Sequence, residues 1–211
     1  MKPKRIILVR HGESEGNAAG GNYEFIPDYA LKLTAKGVEQ ACQAGKVIQQ
    51  LIGDETLYVY LSPYTRARQT WHHLKVNIEA NFVKAKEDPR IREQDWGHFR
   101  KPEIIEQIDQ DRDQYSHFYY RIPDGESGAD VYDRVSTFLE TLHRDFAKPE
   151  YPPNMLIVTH GMTLRLFLMR WFHWTVEEFE NLQNPHNGQV VVMERTDDGH
   201  YHLISELEKR R

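Results

Sequence analysis

The sequence predicts an α/β fold, a three-layer α/β/α sandwich with a mostly parallel central sheet and a C-terminal hairpin at the sheet edge. Short apolar runs without alternation, typical of strands buried on both faces, alternate along the chain with longer segments of helical periodicity. Near the C-terminus, two alternating runs flank Asp198 and Gly199, which is a hairpin signal. No internal repeat or linker-like change of composition interrupts this pattern, so we expect a single domain over residues 1–211.

Four short segments are the predicted strands that precede the hairpin. Three of them, RIILV, LYVYL and NMLIV, are rich in branched apolar residues and are expected to be fully buried. The fourth, NFVKAK, carries lysines and predicts a weaker strand. The buried strands are expected at 5–9, 57–61 and 154–158, and the weaker one at 81–86.

Helical periodicity and capping signals predict six helices between the strands. Thr34 is the expected N-cap of the first helix, and Gly53 is its expected stop. Ser62 is expected to cap the second helix, with Pro63 in its first turn. The predicted helices cover residues 34–53, 62–74, 102–119, 128–147, 162–172 and 175–182. The segments 18–33 and 88–101 predict loops, and residues 97–125 form a possible lid.

Composition excludes several classes of protein. The net charge is 27 − 32 = −5, which gives no support to a nucleic-acid partner. The single cysteine, Cys42, excludes an internal disulfide and fits a reducing compartment. The first apolar run is too short for a signal peptide, and no segment approaches the length of a membrane span. We therefore expect a cytoplasmic protein with neither a nucleic-acid nor a membrane partner.

Polar side chains directly follow the three buried strands. The first strand continues into RHGESEGN, the second into SPYTRARQT and the third into THG. Ligands of such sheets bind beyond the carboxyl ends of the strands. His11 and His160 each follow a strand and precede a glycine, although 160 − 11 = 149 residues separate them. We therefore expect both histidines to face one pocket.

The residue types at these strand ends suit a phosphoryl group. Arginine binds two phosphate oxygens with its planar fork, so Arg10 and Arg66 are candidate substrate ligands. The glycines after the histidines, including Gly161, are expected to let the backbone approach the oxygens, and Asn17 offers a further amide donor. Nearby positive charge keeps an imidazole neutral, and a neutral imidazole is a nucleophile. This pattern therefore predicts one nucleophilic histidine and one that stabilises charge in the transition state.

Five motifs in order resemble those of the histidine phosphatase superfamily, which includes cofactor-dependent phosphoglycerate mutases and fructose-2,6-bisphosphatases. RHGESEGN is similar to its arginine-histidine-glycine signature, and SPYTRARQT to its second arginine motif. IREQDWGHF is similar to its acid/base segment, and PDGES followed by DVYDRV to another recurring stretch. VTHG resembles its second-histidine motif. Together these motifs span most of the chain.

The resemblance implies a role for each candidate residue. It implies that His11 is the nucleophile that becomes phosphorylated, and that Arg10, Arg66 and His160 form the phosphate pocket with Asn17 as an outlying contact. It implies no metal and no organic cofactor, and a small phosphorylated molecule as the substrate.

The proton donor is the least certain of the implied roles. Motif spacing maps the acid/base glutamate onto Glu93, which would protonate the leaving oxygen and then deprotonate the attacking water. Glu93 lies in a charged loop, and Asp95 is an alternative donor.

Two features favour hydrolysis of phosphomonoesters over a mutase reaction. Trp96 and Gly97 follow the acid/base glutamate at the place where mutases have a tyrosine-glycine pair. No mutase-like insertion is evident after them. The tryptophan-bearing loop that mutases carry after the first motif is also missing. A phosphoglycerate mutase and a non-catalytic phospho-ligand binding domain are the alternatives.

Overall fold

The computed structural model of the protein describes residues 2–18, 24–78, 81–98 and 101–210 and contains one six-stranded sheet. The strands are β1 (Arg5–Arg10), β2 (Leu57–Leu61), β3 (Phe82–Glu87), β4 (Asn154–Thr159), β5 (Val190–Arg195) and β6 (Tyr201–Leu203). Their order across the sheet is β3-β2-β4-β1-β5-β6. The first four in that order run parallel, and β5 and β6 are antiparallel additions at one edge. The predicted sheet and its C-terminal hairpin are confirmed.

Six helices connect or follow the strands in the described part of the chain. They are α1 (Ala35–Ile52), α2 (Thr65–Leu74), α3 (Pro102–Tyr115), α4 (Gly128–Phe146), α5 (Gly161–Phe172) and α6 (Val176–Glu180). Short 3-10 turns lie at Asp28–Ala30, Lys75–Asn77 and Pro89–Ile91. Thr34 caps α1 by accepting a hydrogen bond from the Gly37 N–H, and Gly53 ends it with a φ of 55°, as predicted.

Alternating side chains of β1 explain the three layers. Ile6 and Leu8 belong to a core cluster with residues of α4 and α5, whereas Ile7 and Val9 belong to a second cluster with residues of α1 and α2. All four are fully buried. Because successive strand residues point to opposite faces, a strand covered by helices on both sides has no polar face to show in its sequence. This is why RIILV lacks alternation.

Two predicted helices have different bounds. Helix α2 begins at Thr65 with Tyr64 as N-cap, three residues later than predicted, because Ser62 still follows the sheet and its N–H donates to Val158 O at 3.0 Å. Helix α3 ends at Tyr115 instead of residue 119. Ser116 terminates it, since its Oγ accepts hydrogen bonds from the N–H groups of residues 118 and 119 at 3.1 and 3.0 Å.

The sheet topology positions the polar motifs. Strands β2, β4 and β1 are neighbours and parallel, so their carboxyl ends meet at one edge of the sheet. In the pairing of β1 with β4, Arg10 lies opposite Thr159. The residues that follow, His11 and His160, therefore leave the sheet side by side. None of the helices in the four described ranges has the length and apolar character needed to span a bilayer.

Candidate active site

The two histidines from distant parts of the sequence meet at this edge. Their ring centroids lie 5.0 Å apart at an interplanar angle of 60°. The Arg66 Nε donates to His11 Nε2 at 3.3 Å. All three side chains are buried, with His160 fully excluded from solvent. The two histidines therefore lie side by side at one edge of the sheet, where His11 lines the cavity described below and His160 lies behind it.

The environment of His11 fixes its protonation state. Its Nδ1 lies 2.7 Å from the carbonyl oxygen of Gly12, which accepts hydrogen bonds only, so we assign the ring proton to Nδ1. The lone pair then lies on Nε2, the nitrogen that faces Arg66. Burial, followed by the charges of Arg66 and Arg10, lowers the pKa of His11 well below its usual value. A neutral imidazole with its lone pair on Nε2 is the nucleophilic form.

His160 is held through its other ring nitrogen, Nε2. Its Nε2 lies 2.7 Å from Ser62 Oγ, which itself accepts from the N–H of Tyr64 at 3.4 Å. We assign the Ser62 hydroxyl as the donor to Nε2, which places the ring proton of His160 on Nδ1. That Nδ1 is buried and has no hydrogen-bond partner within the described residues. Burial, with Arg66 and His11, lowers the pKa of His160 well below its usual value, so a neutral N–H donor remains.

Arg66 is held on two sides. Its Nη1 donates to Asp28 Oδ1 at 2.9 Å and to the Asp28 carbonyl oxygen at 2.6 Å, and its Nη2 donates to Asp28 Oδ2 at 3.1 Å. Its guanidinium carbon lies 4.9 Å from the centroid of the Tyr64 ring. This fixed orientation turns the Nε edge toward His11. The residue that holds Arg66, Asp28, was not among the residues identified from the sequence.

Arg10 and Asn17 also line the pocket. Arg10 ends β1, lines the pocket and donates from Nη1 to Pro185 O at 2.6 Å. Asn17 also lines the pocket. Its Oδ1 accepts from the N–H and Oγ of Ser14 at 3.2 and 3.0 Å and from Asn187 Nδ2 at 3.1 Å. With its oxygen used internally, Asn17 retains its amide group as the donor expected from the sequence.

The glycines after the histidines are required by packing against protein atoms. A Cβ on Gly12 would lie 2.2 Å from the carbonyl oxygen of Gly37, and the Gly12 N–H donates to Thr70 Oγ1 at 3.0 Å. The small residue at Gly12 is therefore required by packing against α1 and α2, and its approach to phosphate oxygens stays a prediction. A Cβ on Gly161 would lie 2.8 Å from Asn184 Cγ, and Asn184 lines the pocket.

Glu93 lies at the N-terminus of α5. Its Oε1 accepts from the N–H groups of Gln94 and Thr163 at 3.0 and 3.3 Å, and its Oε2 accepts from the Met162 N–H at 3.3 Å. These donors hold the carboxyl group at the N-terminal end of α5. Glu93 lines the pocket, whereas the alternative donor Asp95 uses its Oδ1 to accept from the Gly97 N–H at 2.8 Å.

A partly buried ion pair between Arg134 and Glu126 holds the loop that carries Glu93. Arg134 of α4 donates to the carbonyl oxygens of Arg90, Arg92 and Glu93 at 2.6, 2.9 and 3.1 Å. It also donates to both carboxylate oxygens of Glu126, at 3.1 and 3.0 Å. Glu126 in turn accepts from the Asp95 N–H at 3.1 Å. The stretch PDGES and DVYDRV therefore positions the acid/base segment.

The site contains a cavity of about 250 Å³. Its lining residues are Arg10, His11, Gly16, Asn17, Asp28, Arg66, Glu93, Gln94, Trp96, Ile105, Arg112, Met162 and Asn184. Arg112, on α3, is buried and stacks over Trp96 with its guanidinium carbon 4.9 Å from the ring centroid. Its Nη2 lies 2.7 Å from His117 Nδ1, and desolvation lowers the pKa of His117 to about 4, which leaves that ring neutral. Arg112 thus adds a third guanidinium to the pocket, which the sequence did not indicate.

The predicted lid contributes to the pocket through α3. Ile105 and Arg112 line the cavity, whereas Phe118 packs against Tyr132 and Phe179. Residues 99 and 100 of the predicted lid lie outside the described residues. In the four described ranges, no group of three or more His, Cys, Asp or Glu side chains has the arrangement of a metal site.

An α/β sandwich that joins paired histidines and arginines at the carboxyl ends of its central strands has the architecture of a phosphatase built around histidine. The chain belongs to the Histidine phosphatase superfamily (branch 1), whose sequence profile matches residues 6–205. The matched range covers all five motifs that indicated the family.

Relatives from two organisms are similar along most of the chain. Phosphoglycerate mutase-like protein AT74 of Arabidopsis thaliana is 44% identical, over 96% of this chain and 68% of its own length. Broad-range acid phosphatase DET1 of Saccharomyces cerevisiae is 32% identical, over 92% of this chain and 86% of its own length. The predicted family and the predicted phosphatase class are confirmed.

Solved structures share the fold. Mycobacterial hydrolase 1 superposes with a TM-score of 0.76 at 21% identity, covering 98% of this chain and 99% of its own. A mycobacterial glucosyl-3-phosphoglycerate phosphatase in complex with VO3 superposes with a TM-score of 0.74 at 22% identity, covering 97% and 99%. The α/β sandwich predicted from the sequence is therefore the architecture of the family.

Proposed function

We propose that the protein is a phosphomonoester hydrolase that acts through a phosphohistidine on His11. The observation that carries the proposal is the 5.0 Å separation of the two neutral imidazoles, with Arg66 Nε 3.3 Å from His11 Nε2. A phosphoryl group bound here would meet a lone pair on one ring, an N–H on the other and the guanidinium groups of Arg10 and Arg66. Such preorganised donors favour the charge that develops in phosphoryl transfer.

Two steps complete the proposed reaction. In the first, His11 Nε2 forms a bond to phosphorus, the bond to the ester oxygen breaks, and Glu93 gives its proton to that oxygen. In the second, the Glu93 carboxylate takes a proton from water, the hydroxide oxygen bonds to phosphorus, and the bond to Nε2 breaks. The N–H groups around Glu93 hold its carboxyl group in one position for both steps. His160 donates from Nδ1 to the transferring group in both steps.

The proposed substrates are small phosphorylated molecules. Gly161 and Asn17 are proposed to contribute to their binding. The cavity of about 250 Å³ has room for a phosphoryl group and a small leaving group. Arg112 lines the pocket, is buried beside neutral His117 and forms a long ion pair with Asp109 at 3.5 Å. This placement favours polar or anionic leaving groups. The absence of a mutase-like insertion in the sequence favours water as the phosphoryl acceptor.

The test is turnover of a panel of phosphomonoesters by the wild type and by His11→Ala. We expect His11→Ala to lower kcat by at least about 10³-fold, because the nucleophile is lost. Acid-labile phosphate on the denatured wild type, absent from the variant, identifies the intermediate. His72→Ala, at an exposed position of α2, is the matched control.

Other outcomes would identify the alternatives. Conversion of 3-phosphoglycerate to 2-phosphoglycerate faster than phosphate release, with a bisphosphorylated primer present, would show a mutase. Phosphate binding without turnover of any compound and without a phosphoprotein would show a binding domain. Full activity of His11→Ala would refute the phosphohistidine.

A further inference from the structure

The carboxylate of Asp28 occupies the phosphate-binding fork of Arg66. Both Nη atoms of Arg66 donate to this carboxylate, at 2.9 and 3.1 Å, and Nη1 also donates to the Asp28 carbonyl oxygen at 2.6 Å. Asp28 begins the short turn Asp28–Ala30, and the next residue, Leu31, is fully buried and anchors the turn in the core. The contact therefore belongs to a packed part of the protein.

This contact has two consequences for a bound anion. It leaves the Nε edge of the guanidinium, which lies 3.3 Å from His11 Nε2, as the edge that meets a phosphoryl group on that nitrogen. It also places a carboxylate on the far side of the same guanidinium, within the pocket lining. Because like charges repel strongly where water is scarce, an ionised Asp28 opposes the binding of a second anion at Arg66.

We propose that Asp28 is a positioning residue that holds the Nε edge of Arg66 toward His11 and takes up a proton when an anion binds beside it. Its ionised form keeps the affinity for phosphate low, which helps product to leave, and its protonated form gives the anion the full charge of Arg66. The inference rests on the proposed function, because it assigns the phosphoryl group to Arg66.

The groups around Asp28 favour proton uptake at that residue. Arg66 and Tyr64 face it from the start of α2, and Glu93 and Asp95 face it from the acid/base loop. Burial raises the pKa of Asp28, Arg66 opposes this, and the two other carboxylates add to it. Tyr64 stays neutral, since burial raises its pKa to about 12. His11 and His160 are neutral at neutral pH, because burial lowers their pKa well below the usual value.

The test is sulfate binding by isothermal titration calorimetry as a function of pH. Sulfate is a dianion from about pH 4 to about pH 8, so any pH dependence of its affinity reports the protein. An anion beside Asp28 favours its protonated form, so binding takes up a proton and tightens as pH falls. We expect the wild-type Kd to fall about five- to tenfold from about pH 8 to about pH 4, with proton uptake measured from the buffer dependence of the heat.

Asp28→Asn separates the charge from the hydrogen bonds. The backbone carbonyl of residue 28 still accepts from Nη1, so the orientation of Arg66 is kept while the negative charge is removed. We expect this variant to bind sulfate about five- to tenfold more tightly than the wild type at neutral pH, and with a flat pH dependence. Glu15→Gln is the matched control, since Glu15 accepts from the Lys32 N–H in the same part of the chain.

Several results would overturn the inference. One is a wild-type Kd for sulfate that does not change with pH, with no proton uptake, which needs no variant to observe. Another is an Asp28→Asn variant with unchanged or weaker sulfate binding at neutral pH, or with the wild-type pH dependence. The proposed function fails separately: if sulfate binding behaves as expected but no phosphomonoester is hydrolysed, Asp28 keeps its role in anion binding and the phosphatase assignment is wrong.

Discussion

The two halves of the candidate site are built in different ways. The nucleophile half, with His11 and His160, continues directly from two adjacent parallel strands, and backbone pairing of β1 with β4 sets their separation. The acid/base half, with Glu93, lies on a loop after β3 and is held by side chains from α4 and by N–H groups of α5. One half depends on sheet register, and the other on a network of long-range hydrogen bonds.

Because of this difference, we expect substitutions to impair the two halves in different ways. Strand register is shared among many backbone hydrogen bonds, so the separation of His11 and His160 does not depend on one side chain. The loop geometry instead converges on Arg134, which donates to three backbone carbonyls and to Glu126. We therefore expect substitutions in the first half to remove chemistry directly, and substitutions around the second to displace Glu93.

Among the variants that test this comparison, Arg66→Ala is expected to have the largest effect on catalysis. Loss of the guanidinium removes the donor beside His11 Nε2, so kcat/KM for p-nitrophenyl phosphate should fall about 10³-fold. Steady-state kinetics at neutral pH measures this. Arg68→Ala is the control, because Arg68 is on the same helix and forms an exposed ion pair with Glu87. A loss below about tenfold would show that Arg66 is not a phosphate ligand.

Glu93→Gln is expected to have the next largest effect. An alkyl phosphate needs its leaving oxygen protonated, so its kcat should fall about 10²- to 10⁴-fold. An aryl phosphate with a stable phenolate leaving group needs less help, and its phosphoenzyme should accumulate because the water-activating base is missing. Stopped-flow product bursts distinguish the two steps. If Asp95→Asn shows this pattern and Glu93→Gln does not, the proton donor is Asp95.

Arg134→Lys tests the contacts that hold the Glu93 loop, and we expect a smaller loss of activity. Lysine keeps the charge but not the fork that joins Glu126 to the loop carbonyls, so we expect kcat to fall about tenfold with KM nearly unchanged. Because the phosphate ligands are untouched, sulfate affinity should stay at the wild-type value. Arg144→Lys, at an exposed position of the same helix, is the control. A matching loss of sulfate affinity would mean that the two halves are not separate.

The smallest expected effect is the response of the wild type to acid. Burial and Arg66 lower the pKa of His11 and His160, and only neutral His11 has the attacking lone pair. Activity is therefore lost as pH falls through the lowered pKa, below the ordinary histidine value of about 6.5. We expect kcat for saturating p-nitrophenyl phosphate to change less than about twofold between about pH 7 and about pH 5.5. A decline with a midpoint near about pH 6.5 would show a solvated nucleophile.

The placement of His11 and His160 could be predicted from the sequence because the information for it is local. Apolar runs that end at His11 and His160 place both residues at strand ends, and parallel strands share one carboxyl edge. The same local signals failed at the start of α2, where Ser62 extends the sheet and bonds to His160 instead of capping the helix. A serine before a proline has the same sequence signature in both arrangements.

The sequence by itself determined the sandwich, its family and the residues at the strand ends, since periodicity and short motifs are properties of neighbouring residues. Only the tertiary structure decided which side chains hold them: Asp28 on Arg66, Arg134 on the Glu93 loop and Arg112 in the pocket. Each of these contacts joins segments that are far apart along the chain, and a charged residue has the same appearance in a sequence whether it is solvated or buried. Packing, which brings those segments together and removes water from between them, gives these charges their partners.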